Sequence, residues 1–200
     1  RIHTVTFLPF RAYSIDNQLI TNTRVECGLS QITLPDSLKS INACAFRNNE
    51  HLQKVQLSES MESIGDYAFC NNAGLKEISF PKKLQSIGIS AFENNPALES
   101  VTFNTEVENM SIGKNAFNQC PILNKVYITN LNNFAQTNFG NAKANPANTS
   151  QHIYDASGRE IKNVVLASGI RFINNDAFNG CAYIERGDSF DFGIYQRQHL

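Results

Sequence analysis

The chain has 200 residues, 42% of them hydrophobic, and a formal net charge of −1. Phosphate recognition needs clustered positive charge, so this balance speaks against nucleic acid and against electrostatic docking to acidic lipid. No apolar run reaches about 18 residues, the length of a membrane-spanning helix. The chain begins at Arg1 rather than Met, which suggests a mature or trimmed chain whose export signal is already gone. Cys27, Cys44, Cys70, Cys120 and Cys181 form no C-x-x-C pair, and an odd number cannot complete a disulfide framework.

Taken from the N-terminus, an apolar-x-x-apolar-x-apolar block appears loosely at Ile2, Val5 and Phe7. Residues 8–28 lack it, so 1–28 is expected as an irregular first repeat or cap. Regular repeats of 23–25 residues run over 29–129. The block recurs at Leu29, Ile32, Leu34; Leu52, Val55, Leu57; Leu75, Ile78, Phe80; Leu98, Val101, Phe103; and Leu123, Val126, Ile128. Its last two apolar positions alternate with polar ones, the period of a strand. Between blocks stands Ile41, Ile64, Ile87 or Ile112, followed four residues later by Ala45-Phe46, Ala68-Phe69, Ala91-Phe92 or Ala116-Phe117.

Three further columns share this register. Ser40, Ser63, Ser86 and Ser111 precede the Ile, and a hydroxyl stack could exchange hydrogen bonds between rungs. Gly65, Gly88 and Gly113, with Asn42 and Asn174 outside them, follow the Ile, a composition that predicts a left-handed turn. Asn49, Asn72, Asn95, Cys120 and Cys181 stand three residues after each Phe, a column that suits a turn-facing side chain that bonds to nearby backbone or packs as a small buried group. One such coil cannot bury its own apolar residues, so coils must stack.

Leu38-Lys-Ser-Ile41-Asn-Ala-Cys-Ala-Phe46, followed by Asn49-x-x-Leu52-x-x-Val55-x-Leu57 and by three more such repeats, resembles the BspA-like (leucine-rich repeat type 5) family of bacterial surface proteins. The resemblance covers 29–129, and 161–181 again through Ile161, Val164, Leu166, Ile173 and Ala177-Phe178. It implies one domain: an α/β-class leucine-rich-repeat solenoid, mostly β, with short parallel strands in a right-handed coil and little helix.

Residues 130–160 break the register. They are expected as an interrupting loop, rich in Asn and Ala, ending in a hairpin of Ile153-Tyr154, Asp155-Ala-Ser-Gly158 and Arg159-Glu160-Ile161. Two readings stay open for this segment: a degenerate repeat that bulges out of the stack, or a binding loop. A last repeat is expected at 161–184 and a cap or tail at 185–200.

The polar positions of the strand block should face outward as paired columns: Thr4 and Thr6, Gln31 and Thr33, Lys54 and Gln56, Glu77 and Ser79, Ser100 and Thr102, Lys125 and Tyr127, Asn163 and Val165. The eight positions from Lys54 to Tyr127 form the candidate binding face, with Tyr127 as the aromatic anchor. Alternatively, this face is simply solvated.

Candidate chemistry is sparse. His3, His51, His152 and His199 show no ligand spacing, so no metal or cofactor is expected. Asp66 and Asp176 lie in repeats too distant to act as an acid–base pair, and no nucleophile elbow appears. Cys44 and Cys70 occupy variable positions, so both are expected partly exposed, and a bridge between adjacent repeats is conceivable. Asn109-Met-Ser111 and Asn148-Thr-Ser150 match the glycosylation pattern, which a bacterial context makes coincidental. The expected function is a non-enzymatic secreted or cell-surface interaction module for a protein partner, such as a host or matrix protein. A carbohydrate-binding module and a structural spacer are the alternatives.

Overall fold

The computed structural model describes residues 29–181. The caps expected at 1–28 and 185–200 lie outside them, as do Cys27, His3, His199, Thr4 and Thr6. Each coil contributes two short strands. One series comprises β1 (Gln31–Thr33), β3 (Lys54–Gln56), β5 (Glu77–Phe80), β7 (Ser100–Phe103), β9 (Lys125–Ile128) and β11 (Ile153–Tyr154). The other comprises β2 (Ser40–Ile41), β4 (Ser63–Ile64), β6 (Ser86–Ile87), β8 (Ser111–Ile112) and β10 (Asn138–Phe139). All pairings between these strands are parallel and keep the repeat register, with Ile41, Ile64, Ile87, Ile112 and Phe139 stacked in order. The second series is one continuous five-stranded sheet. The first divides into a β1–β3 pair and a β5–β7–β9–β11 sheet, because no ladder joins β3 to β5.

The core lies between the two series. Phe46, Phe69, Phe92 and Phe117 stack with centroids 5.2, 5.3 and 5.5 Å apart and planes within 12°. Identical side chains at one rung spacing leave each ring no option but its neighbour's face. Phe80 closes on Phe92 and Phe117 edge-on. The Asn column is buried beside these rings. The Asn49 N–H donates to Asn72 Oδ1 at 2.7 Å, and the Asn72 N–H to Asn95 Oδ1 at 2.8 Å. Cys120 continues the column, its thiol donating to the Phe92 carbonyl at 3.3 Å.

Two column expectations need correction. The left-handed residues are not the glycines after the Ile. They are Cys44, Tyr67, Ser90 and Asn115, then Asn48, Asn71, Asn94 and Gln119, all with φ between 53° and 63°. The cause is rung stacking. The N–H groups of Cys44, Asn48, Tyr67, Asn71, Ser90 and Asn94 all donate to carbonyls of the next coil. Those bonds satisfy backbone that the stack would otherwise bury unpaired, which offsets the strain of positive φ. The glycines serve close approach. A Cβ on Gly65, Gly88 or Gly113 would fall 2.5, 2.4 or 2.5 Å from a backbone nitrogen of the preceding coil. The second correction concerns the Ser stack: Ser40, Ser63, Ser86 and Ser111 are in register, yet no hydroxyl bond joins them among the described residues. Asn48, Asn71 and Asn94 form the outward polar ladder instead, through amide bonds of 2.9 Å.

The segment expected as an interruption supplies a rung. Asn138-Phe139-Gly140 takes the place of Ser-Ile-Gly, and a Cβ on Gly140 would meet Lys114 N at 2.7 Å, as in the regular coils. The extra residues form a short helix α1 (Leu131–Ala135) capped by Asn130, and α2 (Pro146–Ser150) capped by Asn145. Proline at the first helical position lacks an N–H that would have no partner there anyway. Phe134 of α1 packs against Phe103, Phe139 and Phe178. After β11 the chain turns back through an antiparallel bridge, Tyr154 with Glu160. Ile161, Val164 and Leu166 form no strand, and Val165 is 78% exposed. This last part holds on through Asn145, which donates to the Asp176 and Ala177 carbonyls, and Asn174, which donates to Gln136.

Candidate binding face

Strand alternation sorts the first series into an inner and an outer set. Val55, Ile78, Val101 and Val126 point into the core, and so do Phe80, Phe103 and Ile128. Lys54, Gln56, Glu77, Ser79 and Lys125 are exposed, and Ser100, Thr102 and Tyr127 half-exposed. The eight residues proposed from the sequence therefore stand on one surface. Cα registry aligns Glu77, Ser100 and Lys125 in one column and Ser79, Thr102 and Tyr127 in the next.

Six of the eight line a groove of about 390 Å³ over β3, β5 and β7: Lys54, Gln56, Glu77, Ser79, Ser100 and Thr102. Its rim adds Glu59, Pro81 and Asn104, whose amide donates to Ser79 Oγ at 2.9 Å. The groove lies where the ladder between β3 and β5 is open, and its walls carry both signs of charge. Lys125 and Tyr127 fall beyond it.

The next rung differs from expectation. Ile153 pairs with Val126 and Tyr154 with Tyr127, so Tyr154, not Val165, extends the outer column. The two phenol rings lie 5.5 Å apart, tilted by 40°, and the His152 ring is 6.5 Å from Tyr154. His152 Nδ1 meets Glu160 Oε1 at 2.5 Å, and Lys162 Nζ approaches the same carboxylate at 3.9 Å. Partial burial, then the Glu160 charge, then Tyr127 raise the Tyr154 phenol above its ordinary pKa, so its hydroxyl stays protonated. Asp155 fixes the turn that brings Glu160 here. Its carboxylate accepts from Ser157 Oγ and from the Ser157 and Arg159 N–H groups, which holds its pKa down at about 2.

Residues 20–145 match the BspA type leucine rich repeat region, in six copies. The chain belongs to this family. The BspA-type array is also similar to solved bacterial structures. With a leucine-rich repeat protein from Eubacterium ventriosum it shares 20% identity and a TM-score of 0.52, over 76% of this chain and 42% of that one. With a leucine-rich repeat protein from Bacteroides ovatus it shares 26% identity and a TM-score of 0.48, over 78% of this chain and 36% of that one. The chain thus spans less than half the length of either. No curated protein matches it.

The remaining chemistry of this BspA-type chain is dispersed. His51 is exposed and stands four rungs from the His152–Glu160 pair, before β3 rather than β11. Cys44, Cys70, Cys120 and Cys181 are free thiols. Cys70 corrects the expectation of exposure: it is buried at 4%, with its thiol donating to Asn71 Oδ1 at 3.4 Å, and burial raises its pKa. Cys120 is pushed up to about 11 by the same cause. Among the described residues no helix is long and apolar enough to cross a membrane.

Proposed function

We propose that this chain is a non-enzymatic interaction module at the cell surface or outside the cell, and that it binds a protein partner through the outer face of β3, β5, β7 and β9. The observation that supports this reading is the groove centred on Ser79, set in a face whose outer residues keep one register from rung to rung. Such a face is rigid before the partner arrives, so little ordering entropy is lost on binding. Its small polar residues and mixed charges suit a partner surface of ordinary composition. The family's place on bacterial surfaces supports the location, and extracellular-matrix proteins are then natural candidates.

The test is binding of the purified chain to immobilised extracellular-matrix proteins. S79R should fill the groove and weaken binding by about tenfold or more, as a blocked interface centre does. S86R, on the outer side of the other sheet, should leave binding unchanged. A chain that binds none of these proteins, or whose binding ignores S79R, overturns protein recognition by this face.

A further inference from the structure

Tyr127 and Tyr154 stand on the outer face, so the core does not call for them. Their neighbours Val126, Ile128 and Ile153 bury themselves inward, while the same outer column carries Gln56, Ser79 and Thr102 in earlier rungs. Small polar residues satisfy the fold at this position, and the final two rungs depart from them together. The rings, 5.5 Å apart, are both half-exposed. Beside them Glu160 is held by the bridge to Tyr154 and by its contact with His152.

We propose that this end of the face is a glycan subsite: a neutral pyranose unit lies on the Tyr127–Tyr154 pair, with its hydroxyls bonded by Glu160 and His152. The inference rests on the reading that the outer face is the binding surface, and goes on to the chemistry recognised at one end of it. A pyranose has an apolar C–H face and a rim of hydroxyls. The C–H face fits the negative face of a phenol ring. Each hydroxyl donates and accepts at once, which matches a carboxylate acceptor beside an imidazole. A proline-rich peptide could lie on the same rings, but it offers carbonyls and few N–H groups, and so brings little for a carboxylate to accept. Charge also selects. Glu160 is flanked by His152 and Lys162, and Asp155 is paired with Arg159 at 3.0 Å, so the cluster has little net charge to draw an ionic sugar. From this subsite the column of Thr102 and Ser79 leads along the array into the groove, a track on which a linear chain would meet hydroxyls and amides.

The sequence contains no Trp and six Tyr, so tyrosine fluorescence carries these two rings together with four others, and loss of the response in Y127A and Y154A assigns it to the pair. Titration of the full chain with cellohexaose and with chitohexaose, both neutral β-linked oligosaccharides, should change that fluorescence saturably. Y127A and Y154A should each weaken binding by about tenfold, the scale of one aromatic contact, while Y154F retains it. Thermal melts of the variants separate lost binding from lost folding, and Y127T, which takes the residue of the preceding rung at Thr102 and should lose binding likewise, keeps the test sound if an alanine variant fails to fold. The source of the sugar is distinguished by binding to matrix glycoproteins before and after enzymatic removal of their glycans. Loss on deglycosylation assigns the subsite to protein-borne glycan; binding of the free oligosaccharides alone assigns it to polysaccharide. Oligosaccharide binding that ignores Y127A and Y154A overturns the proposal, as does tighter binding of polygalacturonate or of a proline-rich peptide. S79R-sensitive protein binding that survives deglycosylation, with no response to either oligosaccharide, sinks the subsite and leaves the binding face standing. Silence in every arm sinks both.

Discussion

Asn95 shows at the scale of one residue how the array satisfies its buried backbone. Its Oδ1 accepts from the Asn72 N–H, and its Nδ2 donates to the carbonyls of Phe92 and Phe69 at 2.7 and 3.1 Å. One side chain thus ties two coils together where water cannot reach. In the coil before it, Asn72 Nδ2 is buried without a partner. Cys120 does the same work in the following coil with a thiol, which also donates weakly and accepts weakly. N95A removes one acceptor and two donors from buried backbone groups. A buried orphan typically costs about 1–3 kcal/mol, so a loss of about 3 kcal/mol is expected. Urea unfolding of N95A measures it. The control is N94G, one residue away. It keeps the left-handed backbone and deletes only an exposed amide bond to Asn71, so its stability should stay within about 0.5 kcal/mol of the parent. Equal losses in the two variants would remove the buried ladder from the account of stability.

The coil is the scale at which this sequence is legible, and also the scale at which it conceals its backbone. Ile, Ala-Phe and the strand block were legible because burial demands one residue class at one spacing. The outer face followed from the same alternation, and its residues do lie together. The left-handed positions are hidden because Cys44, Tyr67, Ser90 and Asn115 share no chemistry; the neighbouring coil, not the residue, dictates their backbone. The β10–β11 coil was hidden because α1 lengthens it and Asn138-Phe139 replaces Ser-Ile. Only Gly140 and the buried Ile153 carry the register through, and missing them displaced Tyr154 and His152 from the outer columns. The glycine column tests this picture. At Gly88 an added Cβ would meet Asp66 N at 2.4 Å and Gly65 C at 2.6 Å, both backbone atoms that cannot swing aside. G88A should therefore force two coils apart and cost about 1–3 kcal/mol, the usual penalty of overpacking, although alanine ordinarily stabilises a chain relative to glycine. A thermal melt decides between the signs. An unchanged or higher Tm would mean that close approach is not what keeps glycine there.

At the scale of the whole molecule, the array is close to one-dimensional. Each coil bonds chiefly to the coil before and the coil after, so a defect should weaken its neighbours and spare distant rungs. Phe134 offers the sharpest place to see this. It is the buried ring through which the inserted helix α1 joins the array, touching Phe103 on one side and Phe139 and Phe178 on the other. The long Phe46–Phe69–Phe92–Phe117 stack does not include it. F134A leaves a cavity that typically costs about 3–5 kcal/mol, and that cost falls on the junction between residues 29–129 and 131–177. Hydrogen exchange should then show faster opening in β10, β11 and the 131–150 amides, with β3 to β6 protected as before. The Tyr127–Tyr154 pair spans this junction, so the aromatic end of the face should loosen while the groove around Ser79 keeps its form. A uniform loss of protection from β1 to β11 would instead mean that the described coils unfold as one unit, with coupling too strong for a nearest-neighbour account.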